Sequence, residues 1–75
     1  MGRKLRTLSA NEVLSILTAN GFVRVSQKGS HVKMRSELPE SRITVIVPVH
    51  GRELPIGTLT AIIKQSGLLR ELFEE

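Results

Sequence analysis

The stretch Phe22-Val23-Arg24-Val25-Ser26-Gln27-Lys28-Gly29-Ser30-His31-Val32-Lys33-Met34-Arg35 decides the fold. Apolar and polar residues alternate from Phe22 to Ser26, the run breaks at Lys28-Gly29-Ser30, and alternation resumes from His31 to Arg35. A period of two marks a strand with one buried face, and Gly-Ser between two such runs marks a turn. The pattern predicts a strand over Phe22–Ser26, with Val23 and Val25 inward and Arg24 and Ser26 outward. It predicts a second over His31–Arg35, with Val32 and Met34 inward and His31, Lys33 and Arg35 outward.

Downstream, Ser36 to Ser41 reads as a polar loop containing Pro39, and Arg42–Pro48 as a third strand. Ile43, Val45 and Val47 then share one face, and Arg42, Thr44 and Ile46 the other. Successive strands with short connections pair antiparallel. After a loop over Val49–Leu54, Pro55-Ile56-Gly57-Thr58 opens a helix carrying Leu59, Ile62 and Ile63 at helical spacing, and Gly67 stops it. Leu68–Glu75 adds a short third helix with Leu69, Leu72 and Phe73 as its apolar side. Upstream, Ser9 and Glu12 have the spacing of a capping box, and Leu8 and Val13 that of a hydrophobic staple. Val13, Ile16 and Leu17 form the stripe of this first helix, with Leu14 beside it, and Asn20-Gly21 ends it.

The expected architecture is α+β, a single small domain of order α-β-β-β-α over a three-stranded antiparallel sheet, with a short C-terminal helix. The helices should cover Val23, Val25, Val32, Met34, Ile43, Val45 and Val47. The opposite face would hold Arg24, Ser26, His31, Lys33, Arg35, Arg42 and Thr44, with no acid among them. A bulge in any strand would move part of its set to the other face.

The chain has 75 residues, which bounds it to one domain with a modest core. Its net charge is +4 and its pI about 10.4. Arg3, Lys4 and Arg6 stand at the start, six basic residues lie between positions 22 and 52 against Glu37 and Glu40, and Glu71, Glu74 and Glu75 reverse the sign at the end. A basic body facing an open sheet suits a polyanion, nucleic acid above all. The absence of cysteine excludes disulfides, thiol nucleophiles and cysteine-ligated zinc. The longest apolar run, Ile43–Val49, falls far short of the roughly 20 residues that cross a bilayer. No apolar segment follows the basic N-terminus, so no secretory signal is read. The expectation is a cytoplasmic protein with no membrane partner.

His31 is the residue with chemistry to offer. Imidazole takes and gives protons near neutrality, and RNA brings its own nucleophile, the 2′-hydroxyl. A histidine among Lys28, Lys33 and Arg35 supplies both proton transfer and cations for a phosphate. Arg24 and Arg42 would extend the cationic track, and the Gly29-Ser30 turn lets a phosphate approach backbone amides. The plain alternative for His31 is a solvent-facing residue of a hairpin. His50, in Val47-Pro48-Val49-His50-Gly51, is a secondary candidate for proton transfer; its plain alternative is a loop histidine holding a turn. Two histidines with no cysteine partner and no nearby aspartate make a weak metal site, and none is assigned. The Gly-x4-Gly-Lys phosphate loop is missing, and no cofactor is implied. The only aromatics are Phe22 and Phe73, both read as core, so contacts to RNA should run to phosphate and sugar. Two other functions fit the same features: a non-catalytic RNA-binding module, and an interaction protein whose basic face docks an acidic partner.

Four blocks then carry a resemblance over nearly the whole chain: Asn20-Gly21-Phe22, Gln27-Lys28-Gly29-Ser30-His31, Val47-Pro48-Val49-His50, and Gly57-Thr58-Leu59 with Ile62-Ile63-Lys64-Gln65-Ser66-Gly67. In this order and spacing the sequence resembles the HicA (YcfA-like) toxins of bacterial and archaeal toxin–antitoxin pairs. The resemblance implies a fold similar to double-stranded-RNA-binding domains. It also implies metal-independent cleavage of mRNA by the histidine of the Gly-Ser-His motif, here His31, and a HicB-type antitoxin that covers the active surface. Two departures stand out. Many relatives carry an aromatic a few residues after the histidine, where this chain has Met34. Relatives often open the final short helix with Ser or Thr, where this chain has Leu68-Leu69.

Overall fold

Helix α1 (Ala10–Ala19) begins where local capping chemistry places it. Glu12 N–H donates to Ser9 Oγ at 3.2 Å, and Ser9 N–H donates to Glu12 Oε1 at 2.9 Å. Each satisfies a backbone donor that the first turn leaves without a partner, and a cap of this kind is worth about 1 kcal/mol. Leu8 and Val13, the two ends of the staple, are fully buried. Val13, Leu14 and Leu17 form the inward stripe, with Ile16 at its margin. Gly21 then turns the chain out of the helix at φ +90°. The computed structural model describes residues 5, 7–38, 42–49 and 53–74.

Three strands follow: β1 (Phe22–Lys28), β2 (His31–Ser36) and β3 (Thr44–Pro48). They form one antiparallel sheet in the order β1-β2-β3, so the strand that begins with His31 is the central one. Helix α2 (Ile56–Ser66) closes the α-β-β-β-α layout and stops at Gly67, which adopts φ +71°. The core lies between the sheet and the two helices. Phe22, Val32, Met34, Val45 and Val47 meet Val13, Leu14 and Leu17 from α1 and Leu59, Ile62 and Ile63 from α2. Met34 is therefore a core residue, as its alternation predicts. Ser66 is the buried polar residue among those described; its hydroxyl donates to Ile63 O at 2.8 Å and accepts from Leu68 N–H at 3.1 Å. Among the described residues no helix is long and apolar enough to cross a membrane.

The first strand corrects the sequence reading. Val23 and Val25, expected in the core, are 39% and 43% exposed, and Phe22 is the only buried residue of β1. Phe22 enters the core directly after Gly21, which sets the parity of the strand and turns Val23 outward. A register shift between Arg24 and Ser26 then leaves Val25 without an opposite number: Arg24 pairs with Met34, and Ser26 with Lys33. This is a β-bulge, which inserts one residue and resets the alternation. Arg24 consequently lies on the helix side of the sheet and not on the open face.

The C-terminus also differs. In place of a helix over Leu68–Glu75, a single 3-10 turn spans Arg70–Phe73. At three residues per turn, neighbours point about 120° apart, so Leu72 and Phe73 cannot both face inward. Phe73 is fully buried, while Leu72 is 38% and Leu69 67% exposed. No side chain caps the turn. The seating of Phe73 holds it, together with an Arg70 Nε–Glu74 Oε2 pair at 3.2 Å and a bridge between Leu5 and Glu74.

Candidate functional site

The open face of the sheet can be written as a grid, because directly opposite residues of an antiparallel ladder project to the same side. The first row is Lys28–His31–Pro48, the second Ser26–Lys33–Ile46 and the third Val23–Arg35–Thr44. No member of the grid is acidic. His31, Lys33 and Arg35 run down the central strand at steps of roughly 7 Å, with neighbouring strands about 4.8 Å to each side. His31, Lys28 and Arg35 are exposed, and Lys33 is half-buried between its neighbours. The face is not uniformly polar. Ile46, which alternation assigns to it, and Val23, which alternation does not, flank the cations at 41% and 39% exposure.

The turn carrying His31 is a two-residue connection. Gly29 has φ +60° and no residue other than glycine has a positive φ among those described. That is the φ pattern of a type II′ hairpin, with glycine first. A Cβ at position 29 would meet no atom within 4 Å, so the backbone angle and not lack of space calls for glycine there. The turn is tethered at both of its carbonyls. Ser30 O accepts from Val49 N–H at 2.6 Å, and Gly29 O accepts from Gln27 Nε2 at 3.2 Å.

The structure therefore brings together His31, Lys28, Lys33 and Arg35, with the Gly29-Ser30 turn beside them. It separates Arg24 from this group. The Arg24 guanidinium donates from Nη1 to Gln27 Oε1 at 3.3 Å, and Arg24 lines a shallow groove together with Leu14, Ser15 and Thr18 of α1. Arg42 is exposed just before β3 and outside its ladder. His50 lies outside the described residues, as do Arg3, Lys4 and Arg6. Among the described residues no three His, Cys, Asp or Glu side chains are grouped to hold a metal ion. What the arrangement offers chemically is one imidazole at the end of a cationic strip, open to a long polyanion. Sequence reasoning missed Gln27 altogether. The burial of Phe22 accounts for the side that Arg24 takes, but Gln27 joins it there only through the bulge at Val25, for which the sequence carries no signal.

The model of the family described as the HicA toxin of bacterial toxin–antitoxin systems matches residues 10–68, from the start of α1 to just beyond α2. No curated protein matches the chain.

Proposed function

The chain belongs to the HicA toxin family of bacterial toxin–antitoxin systems, and from that premise we propose that it is a metal-independent endoribonuclease that cuts mRNA on the open face of its sheet, with His31 as the proton-transfer group. The observation that carries this reading is the central strand, which lines up His31, Lys33 and Arg35 on one exposed face with Lys28 opposite His31. A phosphodiester lying on that strip has its charge met by the three cations. The 2′-oxygen attacks the adjacent phosphorus, the bond from phosphorus to the 5′-oxygen breaks, and the products are a 2′,3′-cyclic phosphate and a 5′-hydroxyl. His31 serves at one end of the proton transfer, taking the 2′ proton or giving one to the departing 5′-oxygen, and water accepts or supplies the proton at the other end. Lys28, Lys33 and Arg35 hold the phosphate, with Arg42 beyond them and Gly29 and Ser30 offering backbone.

Toxins of this family pair with an antitoxin. Here we assign a HicB-type protein that covers the open face, and the cations on that face call for a covering surface that is at least partly acidic.

The test is incubation of the purified chain with a long mRNA in EDTA near neutral pH. Fragments ending in a cyclic phosphate are expected. RNA that is bound but never cut, even with protein in excess, would overturn the assignment in favour of a non-catalytic RNA-binding module.

Binding should also weaken steeply with salt, because contacts to phosphate release counterions. Each phosphate contact to a single strand contributes about 0.7 to the slope of log K against log salt. Arg35→Ala should therefore weaken binding of a non-cleavable strand at low salt and flatten that slope by about 0.7. An unchanged slope in filter-binding titrations would remove Arg35 from the track.

A further inference from the structure

Gln27 is bonded at both ends of its side-chain amide. Its oxygen accepts from Arg24 Nη1 at 3.3 Å, and its nitrogen donates to Gly29 O at 3.2 Å. The bulge at Val25 makes this possible. In a regular strand Arg24 and Gln27, three apart, would project to opposite faces. With Val25 unpaired, Arg24 stands opposite Met34 and Gln27 opposite Val32, so both lie on the helix side. Bulges next to functional sites serve to re-aim a side chain in this way.

The consequence falls on one peptide bond. The link between Gly29 and Ser30 is trans, and in a planar trans peptide the carbonyl and the N–H point in opposite directions. Gln27 draws Gly29 O to the helix side. The Ser30 N–H of the same peptide is thereby turned toward the open side, where His31 and Lys28 stand. The following carbonyl, Ser30 O, is held by Val49 N–H, so the turn is fixed from both flanks. We propose that Gln27 is a positioning residue that locks the Gly29–Ser30 peptide so that Ser30 N–H donates to a phosphate oxygen of the RNA as charge builds there during cleavage. This deepens the reading of His31 given above and rests on it. A preset backbone donor aimed at developing charge contributes strongly to rate, a hundredfold or more where one has been removed. A residue that only orients such a donor should account for part of that.

Two variants and one spectrum test it. Gln27→Ala removes both bonds. Gln27→Glu keeps an acceptor for Arg24 but has no hydrogen to give Gly29 O. Both should lower kcat about tenfold and leave KM within about twofold, since the cations that bind RNA are untouched. Wild-type kcat in either variant, or a loss confined to KM, would overturn the proposal. The spectroscopic test needs no cleavage: a single-stranded 2′-deoxy oligonucleotide is titrated into the 15N-labelled chain. The Ser30 amide resonance should shift in the wild type and lose that response in Gln27→Ala, while the amides around Lys33 and Arg35 still respond in both. A silent Ser30 amide in the wild type, or an equal response in the two proteins, would overturn it. If the wild type cuts no RNA, the nuclease reading fails by itself and the titration alone decides whether Gln27 aims Ser30 at phosphate.

Discussion

His31→Ala should cut RNA about a hundred to ten thousand times more slowly than the wild type, the range that a positioned general acid or base contributes, and should bind a non-cleavable strand within a few fold. The two halves of this expectation have separate physical causes. In the proposed mechanism the imidazole moves a proton, while attraction is assigned to Lys28, Lys33 and Arg35, which occupy other positions of the same grid. His31 is also an exposed residue at the start of the central strand, so alanine leaves no cavity in the core, and the melting temperature serves as a control for folding. Single-turnover cleavage in EDTA, paired with binding of a 2′-deoxy strand, separates the terms. Equal cutting by both proteins would show that another group, or a contaminating nuclease, does the chemistry. A parallel fall in binding and cleavage would make His31 a contact to RNA and not a proton carrier.

Phe73→Ala should remove about half of the stability of the fold. Truncating a fully buried phenylalanine costs about 3–5 kcal/mol, through lost burial and the cavity left behind. At 0.05–0.15 kcal/mol per residue, a chain of this length has roughly 4–11 kcal/mol in total. Phe73 has no exposed surface and sits on a four-residue turn without a side-chain cap, so this ring is a main tie between the C-terminal segment and the core. Urea unfolding followed by far-UV circular dichroism should show the midpoint falling by about half with an unchanged slope. A cost below about 1 kcal/mol would mean that the core closes without the ring. The family match ends at Leu68, so the contribution of Phe73 comes from a part of this chain that the match does not reach.

What could be read from the sequence is what local chemistry decides. The start of α1 was legible because Ser9, Glu12, Leu8 and Val13 act on one another within a few residues. β2 and β3 were legible because their alternation is unbroken, and with them came the placing of His31, Lys33, Arg35 and Thr44 on one face. β1 was not. Val23 and Val25 have strand-like periodicity and the right chemistry for a core, yet a larger neighbour, Phe22, takes the buried position, and nothing in Arg24-Val25-Ser26 announces an inserted residue. The cost of missing the parity that Phe22 sets was Arg24, placed among the cations of the open face when its guanidinium reaches Gln27 on the other side. Leu69 and Leu72 were misread for a related reason: a helical stripe was assumed where the chain makes only one tight turn.

The bulge also bears on the outer edge of the sheet. Among the described residues β1 is an edge strand of the sheet, bearing exposed Val23 and Val25. Such an edge is an invitation to a strand from another molecule, and so to aggregation. A strand approaching β1 would find a regular ladder only as far as Arg24, then lose step at Val25. The irregularity that turns Gln27 toward the hairpin thus also makes this edge a poor template for a strand of a second copy.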